Sequence, residues 1–284
     1  MAEATARARM LHRIVAAAQQ DPRIIGVLDY GSGSKGRADE WSDLDLDIYL
    51  RDADYDAFVR DWAQWAAQFG DLLLAYIGHV GHPWTVYAAT PVPLRVDFDF
   101  HRESRVEEVL TWSYSPVTVE AMVLYDGAGG KLTACVKQLV GRSLRPVDPA
   151  AAFARLCGDL WYYLLYVFSK LQRGEQWVAR QAFHTEVMEH LLRLLRLEAG
   201  AVDQWRGSPA ALDVEGTLAP ERLARLHACV PAPGAAGLRL ALSAAAELGR
   251  EVCAALAARH GWPWPQELAA RATLLLAPPS ATGQ

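Results

Sequence analysis

The sequence predicts an α+β protein, with an N-terminal mixed sheet and its helices followed by a C-terminal α-helical bundle domain. Two observations carry this. Short strand-like runs recur from Ile24 to Phe100, separated by glycine and proline. Beyond Pro146 and Pro149 the periodicity is wholly helical, which places a boundary near 148 and divides the chain into residues 1–148 and 149–284. A length of 284 residues suits two domains of ordinary size, and 52% hydrophobic against 21% charged residues is a soluble, globular composition.

Residues 5–20 have the pattern of an amphipathic helix, with Met10, Leu11, Ile14 and Val15 on one side and a stop near Asp21-Pro22. Ile24 to Tyr30 reads as a strand ending at Gly31-Ser32. In DLDLDIYL, Asp43, Asp45 and Asp47 alternate with Leu44, Leu46 and Ile48, so a strand here puts three carboxylates on one face. Like charges so placed repel unless a cation pairs them, and oxygen-only donors suit magnesium. The Gly-Ser turn, if it leads into a short helix, offers bare N–H groups and a positive dipole end to phosphate, with Lys35 and Arg37 adding charge.

Asp54 is placed to N-cap a helix carrying Tyr55, Phe58, Trp62, Trp65 and Phe69, aromatics whose spacing reads as core. Leu72–Ile77, Trp84–Thr90 and Leu94–Phe100 follow as strands. His79 and His82 lie in a loop without a Cys or carboxylate in register and read as a solvated turn. LRVDFDFH alternates again, setting Asp97 and Asp99 on one face and Val96, Phe98 and Phe100 on the other. A charged helix start (Glu103–Leu110), a strand (Met122–Tyr125), the turn Asp126–Gly130 and a helix to about Val140 complete this half.

In the second half, Ala151–Gln172 carries an apolar stripe of Phe153, Leu156, Leu160, Leu164, Val167 and Leu171. A second stripe, Asp159, Tyr162, Tyr166, Lys170 and Arg173, keeps helical spacing and reads either as a cleft wall or as a solvated face. As a wall, its bases serve phosphates and its acid and rings serve an acceptor. Gln176–Ala199 is the next helix, with Glu186 and Glu189 facing the cleft or solvent. A loop (Gly207–Pro220), a short helix (Glu221–Cys229), a linker and two long helices (Leu238–His260, Pro265–Leu276) follow, and the tail PPSATGQ is expected to be disordered.

A net charge of −5 without a long Lys/Arg run argues against tight duplex-DNA binding and suits a small cationic substrate. Cys135, Cys157, Cys229 and Cys253 form no metal-type spacing and read as buried free thiols in a reducing compartment. The N-terminus lacks the apolar core of a secretory signal, and no run reaches the ~20 apolar residues that span a bilayer. The expected location is the cytoplasm, without membrane contact.

A Gly-Ser turn followed at this distance by Ser-Asp-Leu-Asp-Leu resembles the signature of the polymerase-beta-like nucleotidyltransferase superfamily. The resemblance implies that Gly31 and Ser32 grip a nucleoside triphosphate, with Ser42 beside them, and that Asp43 and Asp45 hold magnesium. Asp47 is a carboxylate the pattern does not require. A third carboxylate on a later strand completes such sites or acts as base; Asp97 is the first choice and Asp99 the second. Ser169–Gln181, SKLQRGEQWVARQ, looks like the Lys-x-x-Arg-Gly-Glu turn of antibiotic nucleotidyltransferases, and the overall separations are similar to those of lincosamide and aminoglycoside nucleotidyltransferases.

That resemblance implies a nucleotidyltransferase domain, a helical substrate-binding or dimerisation domain and, often, a homodimer. The implied reaction moves a nucleoside monophosphate from a nucleoside triphosphate such as ATP to a hydroxyl of a small antibiotic, conferring resistance. Gly31, Ser32, Lys35, Ser42, Lys170 and Arg173 would hold the nucleotide, and Asp43, Asp45 and Asp97 the Mg2+. Asp97 or Asp99 would take the proton, with Asp159, Tyr162, Tyr166 and Glu186 against the acceptor. The alternative is an antitoxin-type nucleotidyltransferase that binds or modifies a protein partner; the substantial helical half favours the stand-alone enzyme. An RNA acceptor fits the acidic balance poorly.

Overall fold

In the computed structural model, which describes residues 5–203 and 205–277, the chain divides into two compact units, Met1–Ser143 and Leu144–Gln284. The division falls ahead of the proline pair. Leu144 is buried, and its carbonyl accepts the Arg206 amide at 3.0 Å, which ties it to the second unit.

The first unit is built on a six-stranded mixed sheet: β1 (Ile24–Asp29), β2 (Leu44–Leu50), β3 (Leu72–Ile77), β4 (Pro83–Tyr87), β5 (Leu94–Arg102) and β6 (Val123–Asp126), in the order β3-β4-β5-β2-β1-β6. β2 and β5 run parallel, while the other neighbours are antiparallel. Helices α1 (Ala6–Gln20) and α2 (Tyr55–Ala67) cover one face, burying Met10, Ile14, Phe58, Trp62 and Trp65 against Leu44, Leu46, Ile48, Val96, Phe98 and Phe100. Thr5 caps α1 by accepting the Ala8 amide at 3.2 Å. Asp54 makes no such bond, because its own backbone is already helical at φ −102° and ψ −12°.

A 3-10 turn (Glu103–Thr111) and helices α3 (Val119–Met122) and α4 (Lys131–Lys137) cover part of the other face. They lie over β1, which is buried throughout; β5 instead alternates, its aspartates partly open. The expected strand Trp84–Thr90 ends at Tyr87, ahead of the turn that holds Pro91 and Pro93.

The second unit is helical: α5 (Pro149–Gln172), α6 (Gln176–Ala182), a π turn (Phe183–Val187), α7 (Met188–Ala199), α8 (Val214–Thr217), α9 (Pro220–His227), α10 (Gly234–His260) and α11 (Gln266–Leu276). The predicted α5 stripe is buried at every position and packs on α7, α10 and α11. α5 starts two residues before Ala151 because Asp148 accepts the Ala151 amide at 3.0 Å and Pro149 fits the first turn. The expected loop Gly207–Pro220 contains the single turn α8. All four cysteines are buried and free. Among the described residues no helix is long and apolar enough to cross a membrane. PPSATGQ, expected to be disordered, lies outside the described residues.

Phe98 is fully buried beside Trp65, with ring centroids 5.6 Å apart. Phe98→Ala should therefore destabilise the first unit by about 3–5 kcal/mol in chemical denaturation. A loss below about 1 kcal/mol would show that the neighbouring rings refill the space.

Candidate active site

The parallel ladder between β2 and β5 decides which aspartates meet. Its register sets Asp45 opposite Asp97 and Asp47 opposite Asp99. Asp45 and Asp97 thus stand side by side, and Asp99 belongs with Asp47 two residues further along. The first choice for third carboxylate is the one the ladder brings to Asp45.

β1 delivers the glycine turn to the same place. The Tyr30 amide donates to the Asp45 carbonyl at 2.9 Å, and Gly31 lies so close to the Asp45 side chain that a Cβ there would fall 2.1 Å from Oδ2. A Cβ at Gly33 would likewise meet Asp29 Oδ2 at 2.1 Å. Tyr114 holds the turn in place, its hydroxyl donating to the carbonyls of Tyr30 (2.5 Å) and Gly31 (2.8 Å) and contacting Ser34 Oγ at 2.6 Å. The turn does not continue into a helix as expected. The Gly36 and Arg37 amides close back on the Gly33 and Ser32 carbonyls, and Gly36 sits in the left-handed region at φ 66°. The Gly31 amide is already used by Asp29 Oδ1 at 2.8 Å. Ser32 Oγ, by contrast, is screened from solvent and has no hydrogen-bond partner among the described residues.

Four carboxylates surround this point, and their partners differ. Asp29 is buried and faces Arg7 Nη2 at 3.3 Å. Asp43, just ahead of β2, pairs with Arg95 Nη2 at 2.8 Å. Asp45 and Asp97 have no side-chain hydrogen bond or ion pair among the described residues. Burial first, and then the charges of Asp43, Asp97, Asp29 and Asp47, push the Asp45 carboxyl up to about 7. Asp97 is raised as well, by burial and by Asp43. An unpaired, repelling, oxygen-only set with a hydroxyl lacking a partner nearby is the donor chemistry that a hard divalent cation and a phosphate would satisfy.

One register step along, His101 Nε2 lies 2.7 Å from Asp47 Oδ1 and 3.4 Å from Asp99 Oδ2. Burial opposes the imidazolium there, but the Asp47 hydrogen bond and both carboxylates outweigh it and raise the His101 pKa. His82, read from the sequence as part of a solvated turn, instead reaches Asp99 Oδ2 through Nδ1 at 3.1 Å. The β4–β5 pairing carries it there. Asp45, Asp47, Asp97, Asp99, His82 and His101 line one cleft of about 420 Å3, walled by Tyr30, Trp84 and Trp112. The sequence offers His82 only within the HxxH pair it forms with His79, a weak metal signal set aside for a solvated turn, and gives no such signal for His101 or these rings.

The remaining expected residues are differently placed. Lys35 Nζ stands 4.6 Å above the Tyr114 ring, its pKa lowered by burial and by Arg37. Ser42 Oγ donates to Asp39 Oδ1 at 2.7 Å in an exposed turn, so its hydroxyl is already engaged. In the second unit, Lys170 pairs with Glu175 Oε2 at 2.7 Å and Arg173 follows the end of α5. Asp159 lies 3.4 Å from His190 Nε2, whose ring stacks on Tyr163. Tyr162 and Tyr166 are exposed on the same helix, and Glu186 sits in the π turn. Tyr163 and His190 join this face without having been anticipated.

Residues 5–90 match the family model described as streptomycin adenylyltransferase. The match takes in the glycine turn and β2 and stops before β5. Two solved structures are similar over most of the chain. One is an aminoglycoside 6-adenyltransferase from Bacillus subtilis (15% identity, 96% of this chain and 98% of that one, TM-score 0.44). The other is a nucleotidyltransferase-like protein from Exiguobacterium sibiricum 255-15 (15% identity, 94% and 87%, TM-score 0.36). Likeness at this level adds nothing to the fold described above. No curated protein matches the chain in sequence.

The sheet, the glycine turn and the family match together make the chain a nucleotidyltransferase. Residues 5–90, which hold the glycine turn and β2, are similar to streptomycin adenylyltransferase.

The Asp45 carboxyl is neutral in the folded, metal-free chain up to about 7 but ionises near 3.8 when unfolded. Stability from this group is fully present below 3.8 and is lost as pH rises through about 7. Thermal unfolding without divalent cations should therefore fall more steeply with pH in the parent chain than in Asp45→Asn. Equal slopes would mean that Asp45 ionises in the fold as it does in water.

Proposed function

We propose that the chain transfers a nucleoside monophosphate from a nucleoside triphosphate, ATP first among them, to a hydroxyl of an aminoglycoside-type antibiotic. The observation that carries this reading is the in-register pair Asp45 and Asp97, both without a cationic partner, packed against a glycine turn whose Ser32 hydroxyl lacks a partner. The family match over the same turn and strand supports it, and the net charge of −5 suits a polycationic acceptor.

In this reading the turn from Gly31 to Lys35 receives the triphosphate, with Ser32 Oγ as donor. Asp45, with Asp43 and Asp97, would hold Mg2+, which supplies charge neutralisation at the phosphates and lowers the pKa of the acceptor hydroxyl. Asp43 must then give up part of its pairing with Arg95. The acceptor oxygen attacks the α-phosphorus, a P–O bond forms as the bond to pyrophosphate breaks, and the proton passes to a carboxylate oxygen of Asp97 that the cation leaves free. The register places Asp99 beside Asp47 instead, which makes it the weaker choice. Ser42 and Lys170 contribute only if Asp39 and Glu175 release them, and Arg173 would add its charge beside Lys170. The face bearing Asp159, Tyr162, Tyr166 and Glu186 is proposed to recognise the acceptor. A homodimer and a cytoplasmic location, the latter consistent with four free thiols, belong to the same proposal.

The test is pyrophosphate release with Mg2+ and each nucleoside triphosphate against aminoglycosides and lincosamides, with product mass read in parallel. One aminoglycoside should give release and a mass gain of one nucleotide, and Asp45→Asn should abolish both while keeping the fold. Full activity in Asp45→Asn would sink the assignment, and a lincosamide-only response would move the acceptor class.

Gly31→Ala provides a subtler check. Its Cβ would overlap Asp45 Oδ2, a side-chain end that can rotate away, so the fold should survive while the carboxylate moves. A displacement of this kind should cost about 100-fold in turnover. Unchanged turnover would show that Asp45 need not be held where the turn now confines it.

A further inference from the structure

We propose that Asp47, Asp99 and His101 form a second divalent-cation site, of the zinc class, distinct from the Asp43, Asp45 and Asp97 set. Among the described residues this is the group whose ligating atoms converge, each within 4.8 Å of the others. The donors are mixed. Two carboxylates and one imidazole nitrogen suit a borderline cation, and three protein ligands leave a position open towards the cleft.

An independent observation points to a ligand. Asp47 is only 4% exposed, and its Oδ2 is buried with no hydrogen-bond partner. An unsatisfied, buried carboxylate oxygen is costly. His101 cannot satisfy the group alone, because its single Nε2–H is shared unequally, 2.7 Å from Asp47 Oδ1 and 3.4 Å from Asp99 Oδ2. A divalent cation taking the place of that proton would bind both carboxylates and the ring nitrogen together.

The supporting residues are in place. The Tyr49 ring stacks on His101 at 4.9 Å between centroids and fixes the plane of the imidazole. His82 Nδ1, 3.1 Å from Asp99 Oδ2, orients that carboxylate and acts as a positioning residue. The cleft supplies the entry path.

Spacing separates this site from the first. Two residues along paired strands amount to about 6–7 Å, beyond the ~4 Å that joins the ions of a two-metal clamp. The geometry therefore describes two sites on one sheet face, one of oxygen donors at Asp45 and Asp97 and one with nitrogen at His101.

The experiment uses the full chain, stripped with a chelator and free of nucleotide and acceptor, so its outcome does not depend on the proposed transfer reaction. Zn2+ is titrated in competition with a chromophoric chelator, and the Co2+ form is read by its visible spectrum. One Zn2+ per chain is expected, with a Co2+ spectrum of low coordination number. His101→Ala and Asp99→Asn should each weaken binding by more than 10-fold, and His82→Ala by about 10-fold. Asp45→Asn should leave it unchanged. Circular dichroism establishes that each variant folds. Should His101→Ala fail to fold, Asp99→Asn, at a partly exposed position, decides the matter. Absence of stoichiometric Zn2+ binding would overturn the site, as would binding that Asp45→Asn removes and Asp99→Asn leaves intact.

Discussion

The parallel pairing of β2 with β5 is the constraint on which the rest of the first unit depends. It brings the alternating aspartates of two strands onto one sheet face and fixes which of them are neighbours. Crowding carboxylates in this way is unfavourable by itself, since burial and mutual repulsion both disfavour their charged forms. The surrounding residues offset it selectively. Arg7 faces Asp29, Arg95 faces Asp43, and His101 faces Asp47. Asp45 and Asp97, at the centre, form no ion pair among the described residues. The pattern of compensation thus singles out this pair more sharply than the alternation of aspartates does.

The glycine turn is shaped by the same crowding. Gly31 and Gly33 lie where a methyl group would collide with Asp45 and Asp29, so their role is close approach rather than unusual backbone angles. Tyr114 fastens the turn from outside through two carbonyls, and Tyr30 stacks on it at 4.4 Å between centroids. Rigidity of this kind favours any ligand the turn receives, because donors already ordered lose less on binding. Here rigidity comes from a residue more than eighty positions along the chain. The short helix expected after Gly-Ser is therefore unnecessary to hold the turn.

What could be read from the sequence divides along the range of the interactions involved. Alternation within DLDLD and LRVDFDFH made the two aspartate faces legible, since side-chain period is a local property of a strand. The apolar stripe of α5 was legible for the same reason, and the helix begins ahead of the expected Ala151 because Asp148 caps it and Pro149 fits its first turn. The choice between Asp97 and Asp99 was not legible, because it depends on the register of strands some fifty residues apart. His82 meets Asp99 only across the sheet and was missed likewise; His101 continues the alternation of Asp97 and Asp99 by one step and lies 3.4 Å from Asp99, but its shorter contact, with Asp47, depends on the register. Lys170 shows the opposite failure, a basic residue in a suggestive stripe whose charge is already met five residues away by Glu175.

Asp47 and Asp99 separate what the resemblance explains from what is particular to this chain. The superfamily pattern calls for Asp43 and Asp45 and a third carboxylate, and the register sets Asp97 opposite Asp45. Asp47 and Asp99 extend the same alternation one step further on both strands, and a solvated face would tolerate them at little cost. Asp47 is not solvated, however; it is buried to 4% with one oxygen unmatched, and a histidine from the neighbouring strand is spent on the other. A buried acid with incomplete hydrogen bonding is disfavoured unless something absent from the bare chain completes it. The second step of the ladder therefore differs in chemistry from the first, with a buried, incompletely bonded acid and a histidine where the first has carboxylates alone.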